Sequence, residues 1–107
     1  MTSWVKPGAK PQEVTLDGLV FGVRRDGNLE LVELTDERGA LVQLPLFRTE
    51  AQMGLFYWDV VGPGVIFAHR VEDVRQFLAS LPGNVQIVIE PRRNAEGRWE
   101  YLKVLRD

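Results

Sequence analysis

Strand-like apolar runs and helical spacings alternate along the chain, and each change of period marks an expected element. The runs GLVFGVRR (18–25) and LELVEL (29–34) flank Asp26-Gly27-Asn28. Asp-Gly between two such runs predicts a hairpin, because the turn needs positive φ. TDERG (35–39) predicts a second reversal, and ALVQLPLF (40–47) a third strand with Val42, Leu44 and Leu46 on one face. Pro45 has no N–H to give to a ladder, so this strand is expected at an edge or to end there.

The period then changes. In RTEAQMGLFYW (48–58), Thr49 and Gln52 stand three residues apart, the spacing of a capping box, so a helix should begin at Glu50 and stop near Asp59. Ala51, Leu55 and Trp58 form one apolar face, and Met53, Phe56 and Tyr57 widen it. Gly54 costs about 1 kcal/mol against alanine inside a helix, which suggests close packing against a neighbour. GVIFAHR (64–70) is apolar on both faces, as a central strand covered on both sides, or on one side by a partner subunit, would be. VEDVRQFLASL (71–81) returns to helical spacing and ends at Pro82-Gly83-Asn84. VQIVIEP and RWEYLKVL then predict a last hairpin across RRNAEG. Residues 1–12, with two prolines and Trp4, read as an extended N-terminal arm, and 13–107 as a single domain. The fold expected is α+β, in the order β-β-β-α-β-α-β-β. It should have a mostly antiparallel sheet of five to six strands and two helices packed on one face.

Composition narrows the function classes. Hydrophobic residues at 45% and charged residues at 26% suit a globular domain, and no apolar run reaches the roughly 20 residues of a membrane helix. The N-terminal stretch has no apolar core of a secretory signal, so a cytoplasmic location is expected. The chain has no cysteine, which excludes disulfides, thiol catalysis and thiolate metal sites. A net charge of -2 with mixed signs argues against nucleic acid as a partner.

Catalytic chemistry finds little to work with. His69 is the one histidine, and no triad or metal shell accompanies it. The two serines, Ser3 and Ser80, lie outside any nucleophile elbow, and VVGPGV lacks the lysine or helix start of a phosphate loop. No enzyme activity, cofactor or metal is therefore expected. Arg24 and Arg25 at one turn, with Arg92, Arg93 and Arg98 at another, would make a small anion-binding patch if the two turns lie together. Phosphate, a nucleotide or RNA would be the ligand of that alternative reading. The aromatic run says more. Successive helical side chains are about 100° apart, so Phe56, Tyr57 and Trp58 cannot all face one core. Tyr57 or Trp58 should look outward, and an outward aromatic near a methionine has the composition of an interface. Trp4, Met53, Tyr57 and Trp58 are the expected interface residues, with a homodimer or another protein as the partner.

Two resemblances accompany this reading. LPLFRTEAQM (44–53) resembles the element of SseB-like domains in which a strand ending in Pro-x-Phe leads into a helix. VEDVRQFLASLPGNVQIVIEP (71–91) is similar to them in layout. The whole chain looks still more like a small bacterial domain family of unknown function from thermophile-type lineages. Neither resemblance brings an assigned activity. Together they imply a compact α+β module that works by binding.

Overall fold

The computed structural model describes residues 3–5, 12–13, 15–36 and 39–105. The strands are β1 (Ser3–Val5), β2 (Gln12–Glu13), β3 (Val20–Val23), β4 (Val32–Asp36), β5 (Gly39–Leu46), β6 (Phe67–Arg70), β7 (Gln86–Arg93) and β8 (Trp99–Leu105). Helix α1 (Glu50–Val60) precedes β6, and α2 (Val74–Ser80) follows it. From β3 onward the order is β-β-β-α-β-α-β-β, and the fold is α+β.

One sheet runs β2-β1-β8-β7-β5-β4, and β3 pairs with β6 in a separate ribbon. Every pairing is antiparallel except that of β5 with β7. Within the expected N-terminal arm, Ser3–Val5 lies along β8, with Trp4 opposite Val104. The side chain of Trp4 falls outside the described residues.

Asp26-Gly27 does make a turn. Gly27 takes φ +89°, Arg24 N–H donates to Asn28 O at 2.7 Å, and Asn28 N–H donates to Asp26 Oδ1 at 3.0 Å. The strands it joins nevertheless part company. Beyond the bridge Val23–Leu29, β3 goes to β6 while β4 goes to β5. The turn therefore passes the chain between two sheets, where the sequence pattern predicted a simple hairpin.

Pro45 decides between two expectations: β5 is not an edge, because it lies between β4 and β7, but it does end one residue past the proline, at Leu46. The pairing with β4 begins at Val32–Gln43, and a bridge to Val20 takes over at Phe47. Alternate residues point their N–H groups to the same side, so Pro45 falls in the gap between those two partners. Its missing donor breaks no ladder bond.

The apolar residues form two clusters. Leu44, Leu46, Ile87, Ile89 and Val104 pack with Val71, Leu81 and the inner side of α2, from Val74, Phe77 and Leu78. Val32, Leu34 and Phe47 pack with Val20, Trp99, Tyr101 and the inner side of α1. Along β5 and β8 these two sets have opposite parity and so lie on opposite faces of the sheet. A single helical layer was expected; the helices instead take one face each. The β6 strand departs from one of its two expected placements, that of a central strand covered on both sides. Ile66 and Ala68 pack toward α1, whereas Val65 and Phe67 are 54% and 47% exposed. With β3 as the strand beside it in the ribbon, β6 is an outer strand rather than a central one.

Candidate interaction surface

Helix α1 begins where its cap chemistry places it. Thr49 is extended, and its Oγ1 accepts the Gln52 N–H at 3.2 Å, which pairs one of the N–H groups a helix start leaves open. At about 100° per residue, Met53, Phe56, Tyr57 and Val60 share one side of the cylinder. That side is covered. Phe56 meets Phe47 at 5.3 Å and Trp99 at 5.4 Å between ring centroids. The Tyr57 hydroxyl donates to the carbonyl of Glu30 at 2.8 Å inside the core. Burial, with a smaller contribution from the Glu30 charge, pushes that hydroxyl well above the usual phenol range.

Gly22 of β3 sits under the same ring. A Cβ there would lie 2.8 Å from Ile66 Cγ2 and 2.9 Å from Tyr57 Cε2. Such distances are well inside the normal carbon contact of about 3.5–4.0 Å, so glycine is what lets β3 approach α1.

The opposite side of α1 is apolar too. Ala51, Gly54, Leu55, Trp58 and the C-cap Val61 fall within an arc of about 120°. Leu55 is 73% exposed, Trp58 67% and Val61 52%. Among the described residues a Cβ at Gly54 would meet nothing within 4 Å, so none of them presses on it. The stripe Ala51–Leu55–Trp58, read from sequence as the helix's leading apolar face, thus points to solvent.

Beside α1 runs a groove of about 450 Å³, lined among others by Phe56, Leu55, Asp59, Glu90, Arg92 and Trp99. A bulge in β7 shapes its far wall. Pairing steps from Ile89–Leu102 to Arg92–Glu100, so Glu90 and Pro91 together oppose one residue of β8. Glu90 takes φ +47° there. Its carboxylate lies between Arg48 Nε at 3.5 Å and Arg92 Nη2 at 3.8 Å. Its Oε1 is shielded from solvent and makes no hydrogen bond. Arg93 pairs with Asp59 at 3.2 Å and lies over the Trp99 ring at 4.8 Å.

The residues singled out by sequence scatter across this frame. Of the expected interface set, Trp58 is exposed, whereas Met53 and Tyr57 are 4% and 2% exposed and belong to the core. The reason is that α1 turns its Met53–Tyr57 side inward. Three of the five arginines already face carboxylates of this chain. Arg24 is bound to Glu30 at 2.7 Å, which also raises its pKa, Arg93 is held by Asp59, and Arg92 faces Glu90. His69 is exposed on β6, opposite Phe21, with the two ring centroids 6.0 Å apart. Among the described residues no three acidic or histidine side chains converge as metal ligands would.

Sequence reasoning found the Ala51–Leu55–Trp58 stripe but missed that it is the exposed side. Small Ala51 and Gly54 precede large Leu55 and Trp58 on it, at spacings of three and four. It also missed the bulge, for which Pro91 inside a strand was the available sign. No family model matches the chain, and no curated protein or solved structure matches it either.

Proposed function

We propose that this chain is a non-catalytic interaction module that works by self-association through the outward side of α1. The observation that carries the reading is a helix with apolar residues on two opposite sides, separated by Glu50 on one flank and by Gln52 and Asp59 on the other, of which one side alone is covered. A surface helix normally turns one apolar stripe to its core and a polar face to water. Here the uncovered side holds Leu55 and Trp58 at 73% and 67% exposure. A large exposed aromatic next to an aliphatic residue is the composition of interface hot spots, whereas singly scattered surface apolar residues need no explanation. Covering the pair could contribute roughly 1.5–3 kcal/mol per side chain before the cost of association. The anion-ligand alternative is weaker, because Arg24, Arg92 and Arg93 already face carboxylates of this chain.

Dilution followed by NMR tests the proposal. On going from about 1 mM to about 10 μM, the resonances of Ala51, Gly54, Leu55, Trp58 and Val61 should shift together along one binding curve. Shifts confined to another surface, or none at all, would refute it.

A further inference from the structure

We infer that the occupant of this surface is α1 of a second copy, running antiparallel across a two-fold axis near Gly54 and Leu55. The inference rests on the self-association reading and adds the partner element and its register. Three features of the helix converge on it.

The first is shape. Reversing α1 about a point between residues 54 and 55 places Trp58 of one copy over Ala51 of the other, and Leu55 over Gly54. Each large side chain then meets a small one, and the open space around Gly54 allows close approach. A two-fold contact must be self-complementary in this way, because the same patch serves both copies.

The second is charge. Arg48 and Asp59 both lie on the groove side of α1. Arg48 reaches Glu90 there, and Asp59 lines the groove and holds Arg93. A two-fold that reverses the helix keeps the groove sides of both copies together and exchanges their ends. Arg48 of one copy then meets Asp59 of the other, twice. Their side chains are 78% and 56% exposed, so both retain room for another partner. Each end gathers Arg48 from one copy with Asp59 and Arg93 from the other, and Glu90 beside Arg48 balances the charge. Glu50 lies on the opposite flank of the helix, away from Asp59.

The third is the direction of the helices. Antiparallel packing sets the positive end of each dipole beside the negative end of the other, whereas a parallel pair would align them.

The absence of cysteine from the chain makes the test clean. Gly54→Cys sits in open space, should fold, and should form an intermolecular disulfide rapidly under mild oxidation, since the two copies of residue 54 flank the axis. Ala95→Cys, exposed in the β7–β8 turn, serves as the control and should not cross-link. Charge reversal supplies an independent reading. Asp59→Arg should weaken self-association by about tenfold, and Arg48→Asp in the same chain should restore most of it. If the protein dimerises but Gly54→Cys cross-links no faster than Ala95→Cys, the antiparallel arrangement is wrong while self-association stands. If charge reversal at Asp59 leaves the dimer unchanged, the register is wrong. A protein that stays monomeric overturns both the reading and the arrangement built on it.

Discussion

The same substitution at two glycines should act with opposite signs. At Gly22 an added Cβ would lie 2.8 Å from Ile66 Cγ2 and 2.9 Å from Tyr57 Cε2. Those neighbours must retreat by several tenths of an ångström to reach normal contact. The Tyr57 ring has little freedom to do so. Its hydroxyl is tied to Glu30 O at 2.8 Å, and its ring packs edge-on to Phe56 at 5.2 Å. Overpacking of this kind costs about 1–3 kcal/mol. Alanine returns about 0.4–1 kcal/mol by restricting the unfolded chain, so Gly22→Ala should destabilise by roughly 1.3 kcal/mol at the midpoints of the two ranges. At Gly54 an added Cβ meets nothing within 4 Å, and the residue lies inside α1. Gly54→Ala should therefore stabilise by about 0.5–1 kcal/mol. Urea titration followed by circular dichroism would measure both changes, at a concentration low enough to keep the chain monomeric. The slope with urea should stay constant and the midpoints should move in opposite directions. A Gly22→Ala protein as stable as the parent, or a Gly54→Ala monomer less stable than it, would refute the packing described for α1.

Thr49→Ala removes the oxygen that accepts Gln52 N–H at 3.2 Å, and a thermal melt should show a loss of about 1 kcal/mol. Because folding raises the Tyr57 pKa, its contribution is complete below the unfolded phenol value of about 10 and declines as pH rises above it. Stability measured across alkaline pH should fall there, and Tyr57→Phe should flatten the fall. Hydrogen bonds from Asn28, foremost from its backbone N–H, hold the Asp26 carboxyl below its ordinary value. An NMR titration should find that low midpoint. The contribution is present above the unfolded value of about 3.9 and is lost as pH falls through the folded one; Asp26→Asn should remove that pH dependence.

Local chemistry was legible in the sequence where a few adjacent residues decide the outcome. Thr49 with Gln52 set the start of α1, Asp26-Gly27 set a turn, and Pro82-Gly83-Asn84 followed the second helix. Choices made by distant residues were not legible. α1 carries apolar residues on both sides, so periodicity could not say whether Leu55 or Phe56 faces the core. Tyr57 decides it, through a hydroxyl that reaches Glu30 from 27 residues away. The partner of β3 likewise depends on β6, which lies beyond α1 in the chain. Pro45 looked like an edge signal because sequence cannot show that two different strands adjoin β5 on either side of it. The groove depends on a bulge at Glu90 and Pro91 that appears only once β7 and β8 are in register.

Sedimentation equilibrium tests the central claim most directly, with the parent chain and a Leu55→Ser, Trp58→Ser variant compared from about 1 μM to about 1 mM. Both residues are mostly in solvent, so the variant should keep its fold and unfold at nearly the same temperature. The parent should pass from the mass of one chain to that of two as concentration rises, while the variant stays at one. A parent that remains a single chain throughout, or a variant that dimerises as tightly as the parent, would contradict the account.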